Sequence, residues 1–217
     1  TSASGLAAVW ARDNTREALW DAMARKEVYA TTGTRLVVRV FGGFDFTAQD
    51  LERSDFAEQG YKRGVPMGGD LKSASAGKAP AFLVHAMRDV DGANIDRIQV
   101  VKGWLDASGK TQEKVYDVAW SGDRKPGANG KLPPVGNTVN VKEASYTNAI
   151  GAAVLTAYWK DPGFDPKLRA FYYVRVLEIP TPRWTTYDAK IFGVKLPTDV
   201  PSSIQDRAYT SPIWYTP

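Results

Sequence analysis

Two short segments carry the side chains best suited to holding a charged ligand. In Thr31-Thr32-Gly33-Thr34-Arg35, the hydroxyls of Thr32 and Thr34 flank a glycine, and Arg35 closes the run. Glycine supplies the backbone freedom that a sharp turn needs. In Pro180-Thr181-Pro182-Arg183-Trp184-Thr185-Thr186-Tyr187-Asp188-Ala189, prolines stiffen a stretch holding a cation, aromatics, hydroxyls and a carboxylate. A guanidinium stays charged at working pH and offers forked donors to phosphate, sulfate or carboxylate oxygens, and an indole stacks on a planar group or on the guanidinium itself. Thr32, Thr34, Arg35, Arg183 and Trp184 are therefore the candidate substrate-binding residues, for a small anionic substrate. Each arginine also has a plainer reading. Arg35 pairs with Asp45 or Glu52 and pins a strand, while Arg183 bonds backbone carbonyls at a strand exit.

The chain has one histidine and no cysteine. Zinc, iron and copper centres usually take two or more such ligands, so no metal ligand is assigned within this sequence. A Ser-His-Asp triad would depend on His85 alone, in PAFLVHAM, which reads as a half-buried strand residue. No catalytic residue is assigned. Asp161, Asp165 and the Asp89/Asp91 loop offer carboxylates to calcium but lack the ordered series and closing glutamate of an EF-hand loop, so they read as turn formers.

The elements that must position these residues begin with a helix. Asn14 is a good N-cap, and Glu17 is placed to reach back to its amide. Leu19, Ala22, Met23 and Lys26 recur at helical spacing, and Arg25 and Lys26 suit the negative end of the helix dipole. A short strand, Val28 to Thr32, leads into the glycine turn. Only thirteen residues precede Asn14, too few for the several-stranded sheet that an α/β unit packs on. Either the helix packs on the sheets that follow, or the chain is the tail of something larger.

From Leu36 the pattern becomes strand-like. Leu36–Phe41, Ala81–Arg88, Asp96–Asp106, Glu113–Trp120, Ala152–Lys160 and Ala170–Ile179 are β-branched or aromatic runs bounded by turn residues. Residues 47–79 read as a long surface excursion with a helical turn near Gln49–Arg53 and a short strand before Pro66. Residues 121–135 read as exposed loop, and the aromatic tail from Tyr209 as a last docked strand. The fold class is mainly β, an antiparallel β-sandwich-like domain. In Ala170–Ile179, Arg175 and Glu178 fall on opposite faces of a strand covered on both, so each needs a partner.

The formal charge of +4 is scattered along the 217 residues rather than gathered in a patch, so no nucleic-acid partner is expected. No apolar run reaches the length of a membrane span. The absence of cysteine leaves the compartment open. Seven tryptophans either fill the core or, if several share one exposed face, form a stacking platform for sugars.

GLAAVWARDNTREALWDAMARKEVYATTGTRLVVRVFGGFDF, followed in order by GVPMGGDL, DRIQVVKGW, KVYDVAW, KLPPVGNTV, YYVRVLEIPTPRWTTYDA and TSPIWYTP, resembles the C-terminal part of the bacterial family called domain of unknown function 3604. The resemblance covers essentially the whole chain. It implies a longer polypeptide whose N-terminal part is similar to the polymerase-and-histidinol-phosphatase (PHP) superfamily of metal-dependent hydrolases, in its carbaryl-hydrolase-like branch. On that basis residues 1–35 are the closing helix and strand of a PHP-like barrel, incomplete here, and residues 36–217 are an appended β-rich domain. The implied activity is hydrolysis of a phosphoester or related ester or amide bond, with a divalent metal held in the full-length family. Its ligands would come from the N-terminal PHP-like domain of the same polypeptide, since the superfamily's His-x-His and Asp-x-His motifs do not occur in this sequence. The turn at Thr32 to Arg35 would then sit at the barrel end where active sites gather. The family also implies export, to the periplasm or outside the cell. The alternative is a non-catalytic β-sandwich binding or scaffolding module.

Overall fold

The computed structural model describes residues 5–72, 78–196 and 198–217. Strand β1 (Leu6–Val9) precedes helix α1 (Arg16–Ala24), so a strand does lie upstream of the helix. The helix starts one residue later than its sequence suggests. Thr15, not Asn14, is the N-cap, its hydroxyl accepting from the Ala18 amide at 3.2 Å. Strand β2 (Val28–Thr31) runs back antiparallel to β1 and leads into the turn at Gly33, whose φ is 140°. Strand β3 (Val37–Gly43) follows.

Residues 47–72 contain more structure than their charge and glycine content suggest. A 3-10 turn spans Ala48–Glu52, then come helix α2 (Phe56–Arg63) and strands β4 (Val65–Pro66) and β5 (Asp70–Lys72). Gly60 weakens the helical signal of α2, yet it is there for a packing reason. A Cβ on Gly60 would lie 2.5 Å from the Phe41 ring, so only glycine lets α2 settle on β3.

Strands β6 (Ala81–Met87), β7 (Ile95–Leu105), β8 (Thr111–Trp120), β9 (Val154–Lys160) and β10 (Ala170–Glu178) match the strand-like runs closely. After them come β11 (Thr181–Pro182), helix α3 (Trp184–Phe192), β12 (Ser203–Ile204), β13 (Arg207–Thr210) and β14 (Ile213–Thr216). The stretch after Pro182 is thus a helix rather than a loop. Thr185 and Thr186 turn into the protein there, a burial that hydroxyl residues do not advertise.

The larger sheet is centred on β10. Along one edge β10 pairs with β7, which pairs with β8; along the other, β14 and β13 lie end to end against its first and second halves. Beyond them β14 pairs with β5 in parallel and β13 pairs with β2, so β1 and β2 hydrogen-bond into this sheet. The smaller antiparallel sheet has the order β4-β3-β6-β9. Val38, Val40, Phe82, Val84 and Ala86 of the small sheet meet Ile98, Val100, Tyr172, Val174 and Val176 of the large one in a continuous core. A second cluster, Phe41, Phe46, Phe56, Ala81 and Leu83, fills the opposite face of the small sheet. This is an antiparallel β-sandwich, with the 3-10 turn and α2 covering one outer face.

Candidate functional site

The end of the sandwich where β10 stops gathers most of the candidate chemistry. Glu178 closes β10 beyond a register shift against β7, and its amide donates to the Asp206 carbonyl at 2.9 Å. The turn after β2 comes to the same segment. The Thr32 amide donates to the Arg207 carbonyl at 3.0 Å, and its hydroxyl donates to Asp206 Oδ1 at 2.6 Å while accepting from the Arg207 amide at 3.0 Å. The turn is closed from within by the Thr31 hydroxyl, which donates to the Thr34 carbonyl at 2.6 Å.

Glu178 is fully buried, and neither carboxylate oxygen has a hydrogen-bond partner among the described residues. Burial pushes its acid up to about 7, Asp206 and Asp89 push the same way, and the nearby Thr34 hydroxyl offsets part of the rise. That hydroxyl approaches the carboxyl without the geometry of a hydrogen bond and is itself unpartnered. A carboxyl that exchanges its proton near neutrality suits acid–base work. Glu178 is sealed from solvent, so it does not meet a dissolved substrate directly. Tyr146 and Tyr187 flank this region, and burial raises both phenols.

Arg35 does not pair with Asp45 or Glu52. Its amide and Nε donate to Asp89 Oδ2 at 2.8 and 3.3 Å, and Nη2 reaches Asp91 Oδ2 at 3.2 Å. The loop after β6 closes over the turn and brings those aspartates nearer than the sequence distance suggests. Arg35 remains 70% exposed and Asp91 80%, so the Arg35–Asp91 contact is a weak surface pair. Asp45 instead pairs with Lys78 at 2.7 Å.

Arg183 occupies the N-cap position of α3. Its amide donates to the Ser202 carbonyl at 2.9 Å and its carbonyl accepts from the Thr186 amide at 2.8 Å, while the buried Nε has no partner among the described residues. Trp184 is half-buried in the first turn. The two candidate segments thus reach one stretch of chain, residues 202–207: Thr32 through Asp206 and Arg207, Arg183 through Ser202. Among the described residues no hydrogen bond or ion pair joins Thr32, Thr34 or Arg35 to Arg183 or Trp184. Glu178 and Asp206 were absent from the candidates drawn from sequence. The available signal was parity, since Glu178 falls on the inward face of its strand.

Among the described residues, no three His, Cys, Asp or Glu side chains come together as a cation cage. His85 stacks on Phe56 with ring centres 4.0 Å apart and meets the Leu51 carbonyl through Nε2 at 3.1 Å; burial lowers its pKa. Asp161 is held by Lys102 at 2.6 Å and by the Tyr172 hydroxyl at 2.7 Å. Asp165 accepts from the Lys167 amide at 2.9 Å, as a turn former does.

Neither the proteins of curated function nor the solved structures contain a match to the chain. One family model matches residues 1–217, that of the protein of unknown function DUF3604, and the chain belongs to this family.

Proposed function

We propose that the chain is the C-terminal support of a PHP-like metal-dependent hydrolase acting on a phosphoester or related ester or amide bond. In this reading the metal centre belongs to an N-terminal PHP-like portion of the same polypeptide, which docks on α1. The supporting observation is the outer face of that helix. Trp20 is 68% exposed and Met23 51%, they border a surface groove with Leu19, Asn14, Thr15 and Arg16, and only Ala22 of α1 is buried. A helix that turns its large apolar side chains outward offers a surface to a partner element.

The metal would supply an activated water and charge stabilisation when bound in that other portion. This chain's contribution is the rim. Arg35, oriented by Asp89, could exchange its exposed partner Asp91 for an anionic group on the substrate, because the pair it gives up is weak. An exported location is part of the same reading.

The test compares the 217-residue chain with the longer polypeptide, using bis(p-nitrophenyl) phosphate and Mn²⁺. The expected result is turnover by the longer polypeptide alone, with slower amide exchange across residues 16–24 than in the isolated chain. Metal-dependent turnover by the 217-residue chain, or equal exchange of α1 in both, refutes the reading. The second reading, a non-catalytic binding module, draws on the outer face of the large sheet.

A further inference from the structure

The outer face of the large sheet carries a row of aromatic rings that the core does not use. Because side chains alternate across a strand, Phe171, Tyr173 and Arg175 face away from the core residues Tyr172, Val174 and Val176. Register adds Trp214 opposite Phe171 and Tyr209 opposite Arg175 on the same face. The rings form one continuous, curved row, from β14 onto β10 and back to β13. Trp214 lies 5.2 Å from Phe171, Phe171 lies 6.5 Å from Tyr173 with only 12° between their planes, and Tyr173 lies 6.4 Å from Tyr209. Gly103 makes room for the row, since a Cβ there would fall 2.3 Å from the Phe171 ring. Trp214 is 44% exposed at the end of the row. The helices lie elsewhere, α1 against β1, α2 against β3 and β4, and α3 against β11.

At the other end stands a chain of planar polar groups. Arg175 Nε donates to Gln99 Oε1 at 2.7 Å, Gln99 Nε2 donates to Asp117 Oδ1 at 2.7 Å, and Arg97 Nη1 reaches Asp117 Oδ2 at 3.4 Å. These contacts fix the Arg175 guanidinium through Nε and leave both terminal nitrogens without a partner among the described residues. Their edge is a two-donor fork, the shape that takes both oxygens of a carboxylate. Arg207, opposite Leu177, adds positive charge beside it.

We infer that this face binds an acidic oligosaccharide, its sugar rings lying on Trp214, Phe171, Tyr173 and Tyr209 and a uronate carboxylate meeting the Arg175 fork. Sugar rings present apolar C–H faces to aromatic rings and hydroxyls to planar polar side chains, and a continuous row of rings spaced about one ring apart offers such faces to successive sugars of one chain. The carboxylate selects an acidic sugar over a neutral one, because the fork held by Gln99 already has its charge in place. This inference does not rest on docking at α1, and either can fail without the other.

The experiment is affinity electrophoresis of the full chain through gels containing polygalacturonate, hydroxyethyl cellulose or dextran sulfate. Retardation is expected in polygalacturonate. Trp214→Ala should weaken it about tenfold, the size of one lost stacking contact, while Trp214→Tyr retains it. Arg175→Gln should remove the preference for polygalacturonate over hydroxyethyl cellulose. Melting curves on each variant identify any that fails to fold, and Arg175→Gln against wild type carries the comparison if Trp214→Ala does. No retardation in polygalacturonate overturns the inference, as does equal retardation of Trp214→Ala and wild type. Retardation confined to dextran sulfate would show charge attraction alone, and retardation confined to hydroxyethyl cellulose would show that Arg175 reads no carboxylate; either overturns it.

Discussion

Replacing Glu178 by glutamine tests the electrostatics of the sandwich end directly. The carboxyl is fully buried, and its folded pKa stands at about 7 against the usual 4.5. Between those values the folded chain keeps the proton while the unfolded chain releases it. The contribution of Glu178 to stability is therefore complete below the unfolded pKa and is lost as pH rises through the folded one. At about 1.4 kcal/mol per pH unit, the displacement from 4.5 to about 7 corresponds to about 3 kcal/mol, an order-of-magnitude figure. Glutamine has the shape of the protonated acid and cannot ionise. Urea unfolding of wild type and Glu178→Gln should give stabilities within about 1 kcal/mol at pH 5, with the variant ahead by about 3 kcal/mol at pH 8. Taking the difference between the chains cancels the titrating groups that do not interact with Glu178. A difference that does not grow between pH 5 and pH 8, or one of opposite sign, would show that the carboxyl finds a compensating partner in solution and that the argument from burial is wrong.

Lys102→Met should cost about 3–5 kcal/mol in urea unfolding, because it strands the buried Asp161 carboxylate. The double substitution with Asp161→Leu should recover part of that loss, and a further loss instead would refute the pairing. Gly60→Ala should destabilise by about 1–3 kcal/mol despite its better helix propensity, since the new methyl meets the Phe41 ring; a higher melting temperature would show that α2 does not sit so close to β3. Arg35→Gln should change stability by less than about 1 kcal/mol at moderate salt, as expected for contacts on an exposed guanidinium, and a larger loss would mean that the turn depends on them.

The β character of this protein was written in local alternation. The runs that became β6, β7, β8, β9 and β10 are β-branched or aromatic and bounded by turn residues, so each strand was visible without knowledge of its neighbours. The same alternation put Glu178 and Arg175 on opposite faces and posed the question of their partners. Gln99, 76 residues from Arg175, supplied one answer, and Glu178 received none among the described residues. Helices α2 and α3 were obscured because what stabilises them lies outside their own sequence. Gly60 is unfavourable in a helix until Phe41 is placed against it, and Thr185 and Thr186 become buried only once α3 docks.

Residue type alone told what chemistry the candidate side chains carry: forked guanidiniums, whose donors suit anions, and one imidazole with no thiolate, short of the usual ligands of zinc, iron or copper. Which of them share a site was decided by the tertiary structure. Sheet pairing brought the turn at Thr32 to Asp206, 174 positions away, and the loop after β6 carried Asp89 to Arg35 in place of Asp45 or Glu52. The physical reason is range. Periodicity and turn chemistry act over a few residues and can be read along the chain, whereas burial, charge pairing and a shared sheet face arise between segments whose approach is set by how the two sheets close on one another.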